Sequence, residues 1–367
     1  MEIYIHIPFC IRKCNYCSFY SIVNGNIDAY VDAICSEIAT KKSNDEVQTI
    51  YFGGGTPSIL TIAQLTKIFN ALRNNFDLKK CSEITIEANP GTIDQSYLES
   101  INRIGINRLS LGVQTFNDKL LKNIGRIHNR QSAINAVEYA MKSFNNVNVD
   151  LMYGLPDQTM NDLIESINIV TSFNIKHISI YGLEIEEGTM FYKLSDKLNL
   201  PTEDECADMY DYIVNELPKR GFRRYEISNF AKKGFESRHN LGYWNDVKYL
   251  GIGAAAHSYD GIKRQSNVAN VNEYIEGIKK HRDVSIIEEI ITTQSAMEEF
   301  CFLSLRTTEG IDINKFKSKF NVDIEQIFGS VIHQLCLQNL IEFKNERVKL
   351  TEHGMKFGNV VFAEFLL

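Results

Sequence analysis

Three cysteines, Cys10, Cys14 and Cys17, stand within eight residues in the order Cys-x3-Cys-x2-Cys. Thiolates so spaced on one loop can surround a single soft metal centre. Structural zinc takes four ligands, usually as two Cys-x2-Cys pairs. The nearest further donor, His6, lies on the strand-like stretch before the loop. An iron–sulfur cube tolerates one iron without a cysteine, because a small ligand can occupy it. The spacing points first to a [4Fe–4S] cluster, with zinc and free or disulfide-forming thiols as alternatives. Arg12 and Lys13, inside the loop, either offset negative charge around the cluster or are simply solvated. The remaining five cysteines, at 35, 81, 206, 301 and 336, are scattered singly in apolar surroundings. They read as core thiols and not as a disulfide framework.

Elements must hold that loop in place. Strand-like stretches run over 3–9, 47–52, 83–87, 108–113, 147–152 and 177–181. Helical spacing of apolar residues falls between them, over 28–40, 63–72, 97–104, 131–144 and 163–172. Six βα-type units imply a parallel sheet with right-handed crossovers. Polar or glycine-rich signals follow nearly every strand: the cysteines, Gly53 to Pro57, Glu87 to Gly91, Gln114, Asp150 to Pro156, and Tyr181 to Gly188. A barrel collects all its strand ends on one face, whereas an open doubly wound sheet uses mainly one reversal. The expected fold is therefore α/β, a partial (β/α)6 barrel with accessory strands.

A further helix is expected over 204–216, with Pro218 near its end. The stretch 221–258 reads as loops and short strands covering the active face. Beyond about 290, helical stretches at 296–305, 313–320 and 324–338 precede a small hairpin over 341–350 and another short helix. This pattern resembles a winged helix. It lacks a concentrated basic recognition helix, which favours a packing or substrate-covering role over DNA binding. The expected division is 1–200 for the core, 201–290 for an accessory segment and 291–367 for the C-terminal α/β domain.

Composition sets the outer limits. The 367 residues carry a formal net charge of −7, which argues against a general nucleic-acid binder. No apolar run reaches 18 residues, so no transmembrane helix is expected. The strand-like start leaves no room for a signal peptide. A cytoplasmic protein is expected.

Residues 4 to 19, Tyr-Ile-His-Ile-Pro-Phe-Cys-Ile-Arg-Lys-Cys-Asn-Tyr-Cys-Ser-Phe, resemble radical S-adenosylmethionine (radical SAM) proteins. More narrowly, they resemble the oxygen-independent coproporphyrinogen III oxidase-like family, over nearly the whole chain. The resemblance implies a [4Fe–4S] cluster on Cys10, Cys14 and Cys17, with the methionyl amine and carboxylate of SAM on the open iron. Gly54, Gly55 and Thr56 resemble that family's glycine-rich SAM contact. On its own, the Gly53 to Pro57 run either offers amide donors to a ligand or is only a turn. It is no P-loop, since no Gly-Lys-Ser or Gly-Lys-Thr follows. Glu87 resembles a SAM-binding carboxylate, with a solvated charge or ion-pair partner as the plainer readings. Gln114, Arg126 and Asp150 resemble contacts to the SAM ribose and carboxylate. Gln and Asp can bracket vicinal hydroxyls, and Arg can grip a carboxylate. Tyr4 and Tyr16 match positions near the ligand, or are aromatic core residues. His128 is ambiguous and is given no role.

Two features separate the branches of that family. True oxidases carry a further cysteine two residues beyond the third, where this chain has Phe19. Arg238-His239-Asn240-Leu241-Gly242-Tyr243-Trp244 contains the His-Asn-x-x-Tyr-Trp motif associated with haem in the haem-chaperone branch. The resemblance implies haem as a third cofactor, with His239 as the iron ligand and Tyr243 and Trp244 covering the macrocycle. His257, in Gly-Ala-Ala-Ala-His-Ser-Tyr, is another candidate ligand or a group that supports the ligand from behind. A haem-acceptor protein is then the expected partner. No nucleic acid is expected. A homodimer and transient contact with a membrane surface are left open. The rival readings are porphyrinogen oxidative decarboxylation on the same scaffold and a zinc-stabilised interaction protein.

Overall fold

The computed structural model describes residues 1–41, 43 and 45–366. In the first half, strands and helices alternate: β1 (Glu2–Ile7), α1 (Ile27–Thr40), β2 (Thr49–Gly54), α2 (Ile62–Asn75), β3 (Glu83–Ala88), α3 (Gln95–Ile104), β4 (Arg108–Gln114), α4 (Asp118–Asn123), α5 (Arg130–Ser143), β5 (Asn146–Tyr153), α6 (Met160–Ser172) and β6 (His177–Gly182). Strands β1 to β6 pair in parallel, each with the next in sequence. There is no reversal of strand order of the kind a doubly wound sheet uses.

Six elements follow: α7 (Met190–Lys193), α8 (Glu203–Glu216), β7 (Arg223–Arg224), β8 (Asn229–Ala231), α9 (Arg238–Trp244) and β9 (Tyr249–Ile252). The sheet is completed by β10 (His257–Tyr259), β11 (Lys263–Asn267), α10 (Val271–Lys279) and β12 (Ser285–Ile290). Its twelve strands run β12-β11-β10-β9-β1-β2-β3-β4-β5-β6-β8-β7. The accessory strands thus extend both flanks of the parallel six, antiparallel except where β9 joins β1.

Alternation in the six strands is strict. Ile3, Ile5 and Ile7, Ile50 and Phe52, Leu109, Leu111 and Val113, Val147, Val149 and Leu151 are buried on the helix-covered face. The residues between them are polar: Tyr4 and His6, Tyr51, Thr85 and Glu87, Ser110, Asn148 and Asp150, Ser179. A parallel sheet buried only by helices reads as a continuous apolar run. This one has a second face built for polar groups.

Helix starts are locally specified. Thr61 and Thr159 form capping boxes with Gln64 and Asp162, and Asp94 caps α3, which ends on left-handed Gly105. Strand β1 stops at Ile7 and not at Phe9, because Pro8 offers no N–H to the ladder. Helix α9 lies in a stretch expected to hold only loops and strands. The segment beyond β10, for which no elements were expected, supplies β11, α10 and β12.

The C-terminal part holds α11 (Thr293–Leu305), β13 (Ile311–Asp312), α12 (Ile313–Phe320), α13 (Ile324–Leu337), β14 (Ile341–Lys344), β15 (Arg347–Leu350), α14 (Glu352–Lys356) and α15 (Gly358–Ala363). It is a small α/β unit with a three-stranded sheet, β13-β15-β14, and its own core around Phe316, Phe328 and Phe365. Among the described residues, no helix is long and apolar enough to cross a membrane. Of the five scattered cysteines, only Cys301 is fully buried; Cys35, Cys81, Cys206 and Cys336 are half-buried.

Candidate cofactor site at the strand ends

The cysteine loop follows β1 and is tied down by its backbone. Cys10 N donates to Ile22 O at 2.9 Å, Asn15 N to Ile124 O at 3.0 Å, and Phe191 N to Asn15 O at 2.9 Å. Asn15 Nδ2 donates to Asn123 O at 2.8 Å. Tyr16 packs on a small cluster made by Leu120, Leu121, Ile124 and Phe191, and its burial raises its pKa. All three thiols are free and half-buried. Burial pushes the Cys17 thiol up, and the neighbouring Cys14 and Cys10 push it in the same direction. Among the described residues, no three His, Cys, Asp or Glu side chains converge to grip one ion. Three thiols on one loop are the protein donors a [4Fe–4S] cube needs when a small ligand takes its fourth iron, whereas structural zinc takes four protein ligands.

The loops after β2, β3 and β4 close around these thiols. Thr56 Oγ1 lies 3.4 Å from Cys10 Sγ, and Arg126 Nη1 lies 3.5 Å from Cys14 Sγ. A second guanidinium nitrogen of Arg126 donates to Gly112 O. A Cβ on Gly112 would sit 3.1 Å from both Arg126 Nη2 and Gln114 Nε2, so glycine leaves room for both side-chain ends there. Gln114 reaches this point through a bulge, with φ 71°.

Three amides of the glycine run are spent within the protein. Gly54 N donates to Glu87 Oε2 at 3.2 Å, Gly55 N to Ile7 O at 2.9 Å, and Thr56 N to Phe9 O at 2.8 Å. With these amides committed, the run is no anion cradle. Gly54 has φ +113°, and a Cβ there would lie 2.6 Å from the His6 ring.

Glu87 also accepts from Tyr51 Oη at 2.8 Å, and burial pushes its carboxyl up to about 7. Tyr51 stacks on Tyr4, whose hydroxyl meets His6 Nδ1 at 3.0 Å. Asp150 accepts from Ser110 Oγ at 3.1 Å and Asn148 Nδ2 at 2.7 Å, and its pKa too is raised by burial. Arg108, almost wholly buried, puts a positive charge near both carboxylates. His128 is held by Val113 O at 3.2 Å, and burial lowers its pKa to about 3.

Tyr4, Tyr16, Gly54, Gly55, Thr56, Glu87, Gln114, Arg126 and Asp150 thus gather with the cysteines toward the C-terminal ends of the strands. Tyr51 and Asn89 belong to the same group but carry no motif. Only their places, on the polar face of β2 and one residue past β3, could have found them.

His239, Tyr243 and Trp244 lie elsewhere. His239 Nδ1 meets Thr49 Oγ1 at 2.7 Å, and its Nε2 meets Tyr243 Oη at 3.0 Å. The backbone amides of Arg238 and His239 donate to Glu83 at 3.0 and 3.1 Å. Thr49 and Glu83 begin β2 and β3, so the motif plugs the end of the sheet opposite the cysteines. His239 is 1% exposed, stacks on Tyr51 at 5.0 Å, and has its pKa lowered by burial to about 3. Both ring nitrogens are engaged. Trp244 is covered by the Arg306 guanidinium at 4.5 Å. His257, by contrast, is exposed on β10 with its Nδ1 3.2 Å from Glu288 Oε2, and it lies near enough to His6 to add to the lowering of the His6 pKa that burial mainly causes.

Glu2 shares the plugged end, and burial pushes its carboxyl up to about 8. Its folded pKa exceeds the ordinary value of 4.5, so its contribution to stability is complete below about pH 4.5 and drains away as pH rises toward 8. Glu2→Gln is expected to gain on the wild type by up to a few kcal/mol between pH 5 and 8. Denaturant unfolding at both pH values checks this, and a pH-independent difference would refute it.

Residues 4–170 match the radical SAM superfamily, and residues 291–357 match the HemN C-terminal domain. The haem chaperone HemW of Lactococcus lactis is 38% identical over 99% of this chain and 97% of its own. That of Bacillus subtilis is 40% identical over 99% and 98%. The chain belongs to the HemW family, within the radical SAM superfamily. The HemW of Escherichia coli is 32% identical over 100% of this chain and 98% of its own. A solved structure of E. coli coproporphyrinogen III oxidase (HemN), a radical SAM enzyme, superposes with a TM-score of 0.88. It covers 100% of this chain and 89% of that one at 23% identity, which speaks to the fold shared by HemW-family chains and HemN.

Proposed function

We propose that the protein is a cytoplasmic haem chaperone that binds a [4Fe–4S] cluster, SAM and haem and passes haem to an acceptor protein. The observation that carries this is the full-length likeness to HemW proteins, coupled with Phe19 where an oxidase has a further cysteine. In this reading, residues 1–200 form a partial barrel, 201–290 an accessory cover and 291–367 a winged-helix-like domain. Cys10, Cys14 and Cys17 hold the cluster, which supplies electrons to SAM when bound. Gln114 and Asp150 face the SAM ribose, and Arg126 its carboxylate. With the amides of the glycine run committed, the N–H groups of the SAM amine are left to carbonyl oxygens and to Glu87.

Haem ligation by His239 would require its buried ring to give up one of its two hydrogen bonds, to Thr49 or to Tyr243, and to become accessible to the macrocycle. His257 is exposed and sits toward the cysteine end, which favours it as the iron ligand. Anaerobic reconstitution followed by haem titration and transfer to an apo-cytochrome b tests the chaperone. Stoichiometric haem binding and transfer are expected. Turnover of coproporphyrinogen III to protoporphyrinogen IX would replace this reading with the oxidase.

The SAM assignment predicts a pH dependence. An ionised Glu87 accepts the N–H groups of the iron-bound amine more strongly than its protonated form does, and burial pushes its carboxyl up to about 7. Affinity of the reconstituted protein for SAM is expected to exceed that of Glu87→Gln above pH 7 and to lose this advantage as pH falls below 7. Calorimetric titration of both proteins across pH 5.5 to 8.5 reads the ratio, and a ratio flat through pH 7 would remove Glu87 from the amine site.

A further inference from the structure

We infer that Thr56 and Asn89 form a hydrogen-bond relay onto Cys10 that raises the reduction potential of the cluster; this rests on the cofactor reading above. Thr56 is buried, and its amide is fixed to Phe9 O, beside Cys10. Its hydroxyl meets Cys10 Sγ at 3.4 Å and receives Asn89 Nδ2 at 3.2 Å. A threonine hydroxyl has one hydrogen to give. With Asn89 donating to the oxygen, that hydrogen is left for the sulfur.

Asn89 is held from both sides. Its backbone N–H donates to Ser58 Oγ at 3.3 Å, its backbone carbonyl accepts from Thr92 Oγ1 at 2.8 Å, and those two hydroxyls meet at 2.6 Å. The side-chain amide turns Nδ2 to Thr56 and leaves Oδ1 buried without a hydrogen-bond partner. The reversed amide would accept the threonine hydrogen and draw it off Cys10.

Each sulfur has a different donor: Thr56 for Cys10, Arg126 for Cys14 and the Phe19 backbone for Cys17. Donors to cluster sulfurs favour the more negative, reduced state. Thr56 is the one that can be removed without changing charge.

The test is an EPR-monitored redox titration of reconstituted protein without SAM. Thr56→Val should shift the midpoint to a more negative potential, while Thr56→Ser keeps the wild-type value. A tenfold fall in the reduced-to-oxidised ratio at the wild-type midpoint corresponds to 59 mV for one electron. Asn89→Ala should shift the potential the same way alone, but not further in a Thr56→Val background. A wild-type potential in Thr56→Val, or an Asn89→Ala shift that persists in the double variant, overturns the relay. A wild type that assembles no cluster overturns the cofactor reading and the relay together. If Thr56→Val does not fold, Thr56→Ala against Thr56→Ser makes the same comparison.

Discussion

Replacing Cys10, Cys14 and Cys17 together by alanine is expected to take bound iron and sulfide from about four of each per chain to none after anaerobic reconstitution. The fold should survive. The main ties of the loop run through Cys10 N, Asn15 N, Asn15 Nδ2 and Asn15 O and use no thiol, while the thiols themselves accept long contacts from Thr56 and Arg126. The apoprotein's unfolding free energy should therefore change by less than about 1 kcal/mol. Cys206→Ala, at a half-buried thiol far along the chain, serves as the control and should keep all its iron. Full iron content in the triple variant would end the cluster assignment.

His239→Ala is expected to cost about 3 kcal/mol of stability. The change strips partners from two hydroxyls, Thr49 and Tyr243, and removes the ring stacked on Tyr51. Buried polar groups left unpaired carry penalties of about 1–3 kcal/mol each. His257→Ala, at an exposed side chain, should cost less than about 0.5 kcal/mol. Haem titration separates the roles. With His257 as ligand, His257→Ala weakens haem binding more than tenfold while melting like the wild type. His239→Ala then loses haem only where it unfolds. The opposite pattern, haem lost from a folded His239→Ala and retained by His257→Ala, would return the iron to His239.

The six strands were legible because period-two alternation and the loops between them are local properties. The cysteine loop was legible for the same reason. Which end of the sheet a distant segment reaches is not local. Nothing in Arg238 to Trp244 says that its amides meet Glu83, 155 residues earlier. Helix α9 itself was hidden by a glycine and three aromatics in seven residues, a composition that suits loops. Strand β11, Lys-Arg-Gln-Ser-Asn, has no apolar residue to alternate; it forms because β10 and β12 pair on either side. The committed amides of the glycine run depend on β1 and β3 standing beside it, which a motif cannot encode. Tyr51 and Asn89 became site residues only when the register was known.

The plug at the far end of the sheet does not stand alone. Arg306 lies over Trp244 and Phe362, Lys319 pairs with Asp246, Arg264 with Glu299, and Thr308 N donates to Tyr225 O at 3.0 Å. Tyr225 in turn holds His177 at 2.7 Å on the polar face of β6. The C-terminal unit, the plug and the inner wall of the sheet therefore share their bonds and cannot melt one at a time. Heating should give a single calorimetric transition, and cutting the chain before residue 291 would not free a stable core but would unseat the plug at the end of its sheet.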